Sequence, residues 1–165
     1  MTQNRGSYFP AASVLLTFFL AFGVLLPVTA QISARYIYGS WKIKRIIPTS
    51  NIQTSVEDAK KYLGMEIVYS ADEFKFGGEV VEHPKYKTGR MTAAEFYEQY
   101  RAQLKELGVT RGAVSTIEVQ DAKSDPVLNP GAIVFVRSAN TIVTVWDGIY
   151  FEVVRETAAP PRRVQ

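Results

Sequence analysis

The sequence contains no cysteine and a single histidine, His83. Without thiols there is no disulfide, no thiolate metal site and no cysteine nucleophile, so stability has to come from burial and strand pairing. A serine-histidine-acid triad would have to be built on His83, whose neighbour Pro84 and polar surroundings favour a surface bend. No histidine, cysteine or paired-carboxylate cluster stands beside it in sequence. A phosphate-cradling loop is also missing, because Gly77-Gly78 leads into a strand rather than a helix. Carboxylates occur singly: Glu57-Asp58 read as helix-start residues and Asp72-Glu73 as turn residues. The expectation is a protein that is not an enzyme and needs neither metal nor cofactor.

Charge of either sign is nearly balanced. The formal net charge is +3, and Arg5, Arg162 and Arg163 in the terminal segments account for all of it. A neutral body argues against nucleic acid as a partner, since phosphate backbones call for a concentrated basic face. Lys42, Lys44 and Arg45 form the densest basic cluster and read as the solvated face of a strand and its end.

The long apolar run is N-terminal. Arg5 supplies a basic start, residues 11–26 are apolar to weakly polar, and Val28-Thr29-Ala30 offers small residues before a cut. Residues 1–30 therefore read as a signal peptide, with Pro27 breaking the helix where a peptidase needs extended chain. The other reading is an uncleaved membrane anchor of barely sufficient length. The expected location is periplasmic or extracellular. Residues 31–156 suffice for one domain with one core, and residues 157–165, small, proline-containing and basic, read as a disordered tail.

Period-two alternation opens the body. Over residues 36–47 Trp41 and Ile43 share one face while Lys42 and Lys44 share the other. Ser55, three residues before Asp58, caps a short helix over 56–63 that Gly64 ends. Residues 65–69 and 73–76 form a meander that turns at Gly77-Gly78 into 79–82. His83-Pro84 then interrupts before 86–90, since proline cannot donate to a ladder, which marks an edge or a bend.

Thr92 and Glu95 make a capping box for a longer helix, whose apolar stripe Phe96, Tyr100, Leu104 and Leu107 runs until Gly108. One apolar face only predicts a helix packed outside a sheet. Strands resume at 114–120, 132–137, 141–146 and 149–155, around a polar loop over 121–130. Asp147-Gly148 predicts a two-residue type I′ turn that pairs Trp146 with Ile149, Thr144 with Phe151 and Ile142 with Val153 on a core face. Val143, Val145 and Tyr150 on the other face call for a second covering layer. The fold class is mainly β, with about eight strands, the number that closes a small antiparallel up-and-down barrel.

Gly39-x-Trp41 on the first strand and Arg155 on the last resemble the lipocalin-like, or calycin, group, and more closely its small secreted bacterial members of unassigned function. Tyr62-Leu63-Gly64, Ile67-x-Tyr69, Phe74-x-Phe76, Pro84-x-Tyr86 and Trp146-Asp147-Gly148-x-Tyr150-Phe151-Glu152 extend the likeness over nearly the whole mature chain. The resemblance implies structural roles for Gly39, Trp41 and Arg155, with the tryptophan plugging the closed end and the guanidinium stacked across it. It also implies a lid at the open end, formed by the helix over 56–63. The chain departs from the group's pattern in lacking a threonine-aspartate turn at mid-barrel and a disulfide, and in carrying the extra helix.

The function so implied is non-enzymatic binding of a small apolar or amphipathic ligand. Tyr69, Phe74, Phe76 and Tyr86 fall where a barrel turns alternate residues inward, either as core or as the lining of a ligand cavity. The alternative is a protein-interaction module, such as an inhibitor of an envelope-directed enzyme, with its contact on the exposed loop over 121–130.

Overall fold

A computed structural model describes residues 32–50 and 56–156. The expected signal peptide or anchor (1–30), the expected helix cap Ser55 and the expected tail (157–165) lie outside the described residues. Nine strands follow one another: β1 (Gly39–Ile47), β2 (Glu66–Tyr69), β3 (Glu73–Phe76), β4 (Glu79–Glu82), β5 (Lys85–Thr92), β6 (Ala113–Gln120), β7 (Ile133–Ser138), β8 (Thr141–Trp146) and β9 (Ile149–Arg155). They form one curled, barrel-like sheet of order β4-β3-β2-β1-β9-β8-β7-β6-β5, antiparallel at every pairing.

The ninth strand arises from a break. An antiparallel ring needs an even number of strands, and here β4 and β5 both run opposite to β1 and do not pair. They are joined through His83-Pro84 without a reversal, so β4 and β5 are two halves of one strand that pairs first with β3 and then with β6. His83 sits at φ +48°, a left-handed value that bends the chain, and Pro84 has no N–H to give a ladder. The amide of His83 instead donates to Asp72 O at 2.7 Å. This kink is the interruption expected at His83-Pro84, and counting its two halves separately gives nine strands where about eight were expected.

Side chains alternate between two apolar layers. Trp41, Ile43, Ile67, Tyr69, Phe74, Ile117, Val134, Ile142, Phe151 and Val153 point into the curl and form the main core. At Asp147-Gly148 both residues have positive φ, as a type I′ turn requires, and the hairpin register is the expected one. Val143, Val145 and Tyr150 on its outer face are buried by Phe96, Leu104, Leu107 and Val109, the second covering layer.

That second layer departs from the expected long helix. Helix α1 (Val56–Ala59) continues as a 3-10 turn over Lys60–Tyr62, and α2 (Ala93–Tyr100) stops well before Leu107. Arg101 adopts a left-handed φ of 55° as the C-cap, and the Gln103 amide is taken at 2.7 Å by the Glu106 carboxylate instead of a helical carbonyl. Leu104 and Leu107 are still buried, but from a tight turn whose own bond runs from Leu107 N to Leu104 O at 3.1 Å. The first strand is likewise shorter than its pattern, because Ala34–Ile37 winds into a 3-10 turn capped by Ser33.

Candidate functional site

One end of the curl is a fastened floor. The 3-10 turn over Ala34–Ile37 crosses it, and the fully buried Trp41 donates its indole N–H to Ile37 O at 2.7 Å. Arg155, directly opposite Trp41 in the β1–β9 register, lies with its guanidinium carbon 4.2 Å from the ring centroid. Its nitrogens donate to Tyr38 O at 2.6 Å, Tyr36 O at 2.7 Å and Ala139 O at 3.1 Å. Gly39 is required there twice over: φ is +122°, and a Cβ would stand 3.1 Å from Arg155 Nη1. The arrangement ties the first and last strands together.

The four aromatic residues singled out in the sequence are gathered in the interior. Tyr69, Phe74 and Phe76 are buried, and Tyr86 packs half-buried against the same cluster. Tyr69 lies 5.4 Å from Phe74 between ring centroids and donates its hydroxyl to Gly131 O at 2.8 Å. Tyr86 lies 5.6 Å from Tyr38 and donates to Ser70 O at 2.7 Å, reaching across the break between β4 and β5 to the β2–β3 turn. Burial pushes both hydroxyls above the usual phenol range, so they serve as protonated donors at neutral pH.

Side chains and a loop occupy the space between these rings. The loop from β6 to β7 turns inward at its end, burying Asn129 through Ala132. Gly131 fits because it has no side chain: a Cβ would meet Ile67 Cγ2 at 3.0 Å and Phe74 Cζ at 3.1 Å. Asn129 accepts from the Gly131 amide at 3.0 Å and reaches Glu79 with its own amide at 3.5 Å. Only the first part of the expected exposed loop is therefore a surface. Elsewhere Tyr62, following α1, stands edge-on to Phe151 at 5.9 Å and lies 6.0 Å from Phe76, leaving a crevice of about 90 Å3 beside Trp146 and Ile149.

A concavity of ligand size lies on the other side of the sheet. The Thr92–Glu95 capping box, with Glu95 Oε2 accepting from Thr92 N at 2.7 Å, fixes the start of α2. Phe96 and Tyr100 are spent inward, stacked at 5.1 Å and edge-on to Phe135, which leaves Tyr97 turned outward and 51% exposed. The chain leaves α2 at Arg101 and returns to its start, where Ala93 N donates to Gly112 O at 3.0 Å. Between the helix and the returning segment is a groove of about 550 Å3, within the range of small-molecule sites. Ala93, Ala94, Tyr97, Leu104 and Val109 give it an apolar lining, and Lys105 and Arg111 stand at it as exposed cations. A depression of about 320 Å3 on the outer face of β2–β4 touches Phe76 from outside.

Little else suggests chemistry. His83 is exposed at the strand break. Among the described residues no group of three or more histidine, cysteine or carboxylate side chains could hold a metal, and no helix is long and apolar enough to cross a membrane. Glu152 is bracketed by Arg45 and Arg137, each at 2.7 Å, and hydrogen bonding from Arg45 holds its carboxyl below the usual range. That triplet links β1, β9 and β7 on the outer face. Compared with known proteins, the chain matches no family model, no curated sequence and no solved structure.

The groove was not legible as such in the sequence. Reading the stripe Phe96, Tyr100, Leu104, Leu107 as one helix puts Lys105 on a solvated face and hides the return of the chain toward Ala93. The available signal is Tyr97, an aromatic beside the stripe rather than on it.

Proposed function

We propose that the chain is an exported, lipocalin-like barrel that acts by binding a small apolar or amphipathic molecule, without catalysis, and that it does so in the outer groove beside α2. The observation that carries this reading is the contrast between the two faces of the sheet. The interior set Tyr69, Phe74 and Phe76 is close-packed around an inserted loop, whereas the groove offers about 550 Å3 lined by apolar side chains. The lipocalin-like part rests on Gly39, Trp41 and Arg155 and on the up-and-down strand order. Export rests on residues 1–30, and N-terminal sequencing of the product found outside the cytoplasm tests it, with Gln31 expected first.

A neutral naphthylamine dye that brightens in apolar surroundings tests the groove. Folded protein should enhance its emission, and Ala94→Trp, which fills the groove from an exposed helix position, should remove most of the enhancement. Phe76→Leu, an interior change, should leave it in place. The opposite pattern would return the ligand to the interior.

A second reading is favoured by Leu128, which is 78% exposed on a loop held by Asp121 Oδ1, acceptor from Lys123 N at 2.8 Å and Asp125 N at 2.9 Å. An exposed apolar side chain on an ordered loop suits capture of a protein partner, such as an envelope-directed enzyme. Under this reading Leu128→Ala abolishes partner inhibition while Ala94→Trp has no effect.

A further inference from the structure

Taking the outer groove as the binding site, we infer that its ligand is a monomeric single-chain amphiphile with an anionic head, read by Arg111 and Lys105. This rests on the reading above and adds the ligand's chemistry.

The residues around the groove carry two cations and no carboxylate. Arg111 stands beside Thr110 and Gly112 on the returning segment, and its Nη2 makes one long contact, to Arg137 O at 3.4 Å. The carboxylate nearest in sequence, Glu106, is directed elsewhere: it accepts from Gln103 N at 2.7 Å and from both the amide and the hydroxyl of Ser50. Those bonds, above all that from the Ser50 side chain, hold its carboxyl below the usual range, with a smaller contribution from the nearby charge of Lys105, so Arg111 is the less engaged of the two cations. Arg137, on the neighbouring strand, is committed to Glu152 at 2.7 Å. The Arg111 guanidinium therefore offers donors to an incoming head group, and a planar fork suits a carboxylate.

The apolar side has matching dimensions. Ala93 and Ala94 keep the helix surface low, and the buried Leu104 and Val109 form the opposite wall. The Tyr97 ring, half-exposed between them, can lie along an alkyl chain with its hydroxyl toward water. An apolar cleft bounded by cations fits a molecule with an alkyl tail and a negative end. It fits a tail with a cationic end badly, because Arg111 and Lys105 would face it with like charge and no carboxylate is among the lining residues.

Titration calorimetry on the full mature chain, with dodecanoate and dodecyltrimethylammonium each below its micelle-forming concentration and dodecanol below its solubility limit, separates the possibilities. Dodecanoate should bind at least about tenfold more tightly than dodecanol, as loss of a charge-assisted contact implies, and the ammonium compound weakest. The double variant Arg111→Gln, Lys105→Gln should bring dodecanoate down to dodecanol, while Ala94→Trp should reduce both. Circular dichroism checks that each variant folds. Equal binding of all three amphiphiles, unchanged in the double variant but lost in Ala94→Trp, would overturn the anionic head and leave the groove standing. Binding of none would overturn both readings. Binding only to vesicles of anionic lipid would also overturn the inference, replacing a monomeric ligand with a membrane surface.

Discussion

Trp41 and Arg155 face each other across β1 and β9, and the guanidinium lies 4.2 Å from the indole ring while donating to carbonyls of three other residues. Two segments more than a hundred residues apart in sequence are joined at this point. The stack is worth about 0.5–2 kcal/mol by itself, and burial of the indole much more. Trp41→Ala should cost about 3–5 kcal/mol in denaturant unfolding. Gly39→Ala, forcing a Cβ into a left-handed backbone beside Arg155, should cost about 1–3 kcal/mol. A near-neutral Trp41→Ala would mean that the floor does not hold the barrel together.

The Thr144 hydroxyl is buried in the core face of β8 and has no hydrogen-bond partner among the described residues. An unpartnered buried hydroxyl costs about 1–3 kcal/mol, and valine has nearly the same shape without it. Thr144→Val should raise stability by about 1 kcal/mol and the melting temperature by a few degrees. A loss of stability would show that the hydroxyl has a partner, such as a buried water.

Glu152 gives the fold an acid dependence of known sign. Its folded pKa is depressed, chiefly by hydrogen bonding from Arg45 and secondarily by Arg137. A depressed carboxyl contributes stability that is present above the unfolded value of about 4.3 and is lost as pH falls through the folded value. The stability gap between the native chain and Glu152→Gln should therefore be steady above about pH 5 and shrink below about pH 4. A gap as large at low pH as at neutral pH would assign the role of Glu152 to packing.

The inserted loop depends on one missing side chain. Gly131→Ala places a methyl 3.0 Å from Ile67 Cγ2 and 3.1 Å from Phe74 Cζ, so both neighbours have to give way by a few tenths of an ångström. Overpacking of this kind costs about 1–3 kcal/mol. Hydrogen exchange should show it as faster opening of the Ala132 and Gly131 amides, with α2 unaffected.

Much of the fold was legible because it is local. Asp147-Gly148 can form a type I′ turn only with both φ values positive, and that alone sets the register of Thr144 on Phe151 and Ile142 on Val153. Val143, Val145 and Tyr150 announced the second layer by being apolar on the wrong side of a hairpin. What could not be read was non-local. Helical spacing from Phe96 to Leu107 is satisfied equally by a helix and by a helix followed by a tight turn, and the Glu106 bond to Gln103 N that favours the second is invisible in periodicity. Tyr69, Phe74, Phe76 and Tyr86 were placed on the inward face by alternation. That the β6–β7 loop would fill the space before them depends on Gly131 meeting Ile67 and Phe74 from far along the chain.

A packed interior with the ligand held outside can be checked by two-dimensional 1H–15N NMR during titration with dodecanoate. Saturable shifts are expected at the amides of Ala94, Tyr97, Leu104, Val109 and Arg111, with Tyr69, Phe74, Phe76 and Tyr86 unmoved. Shifts concentrated on those four interior residues, with the α2 groove silent, would contradict it.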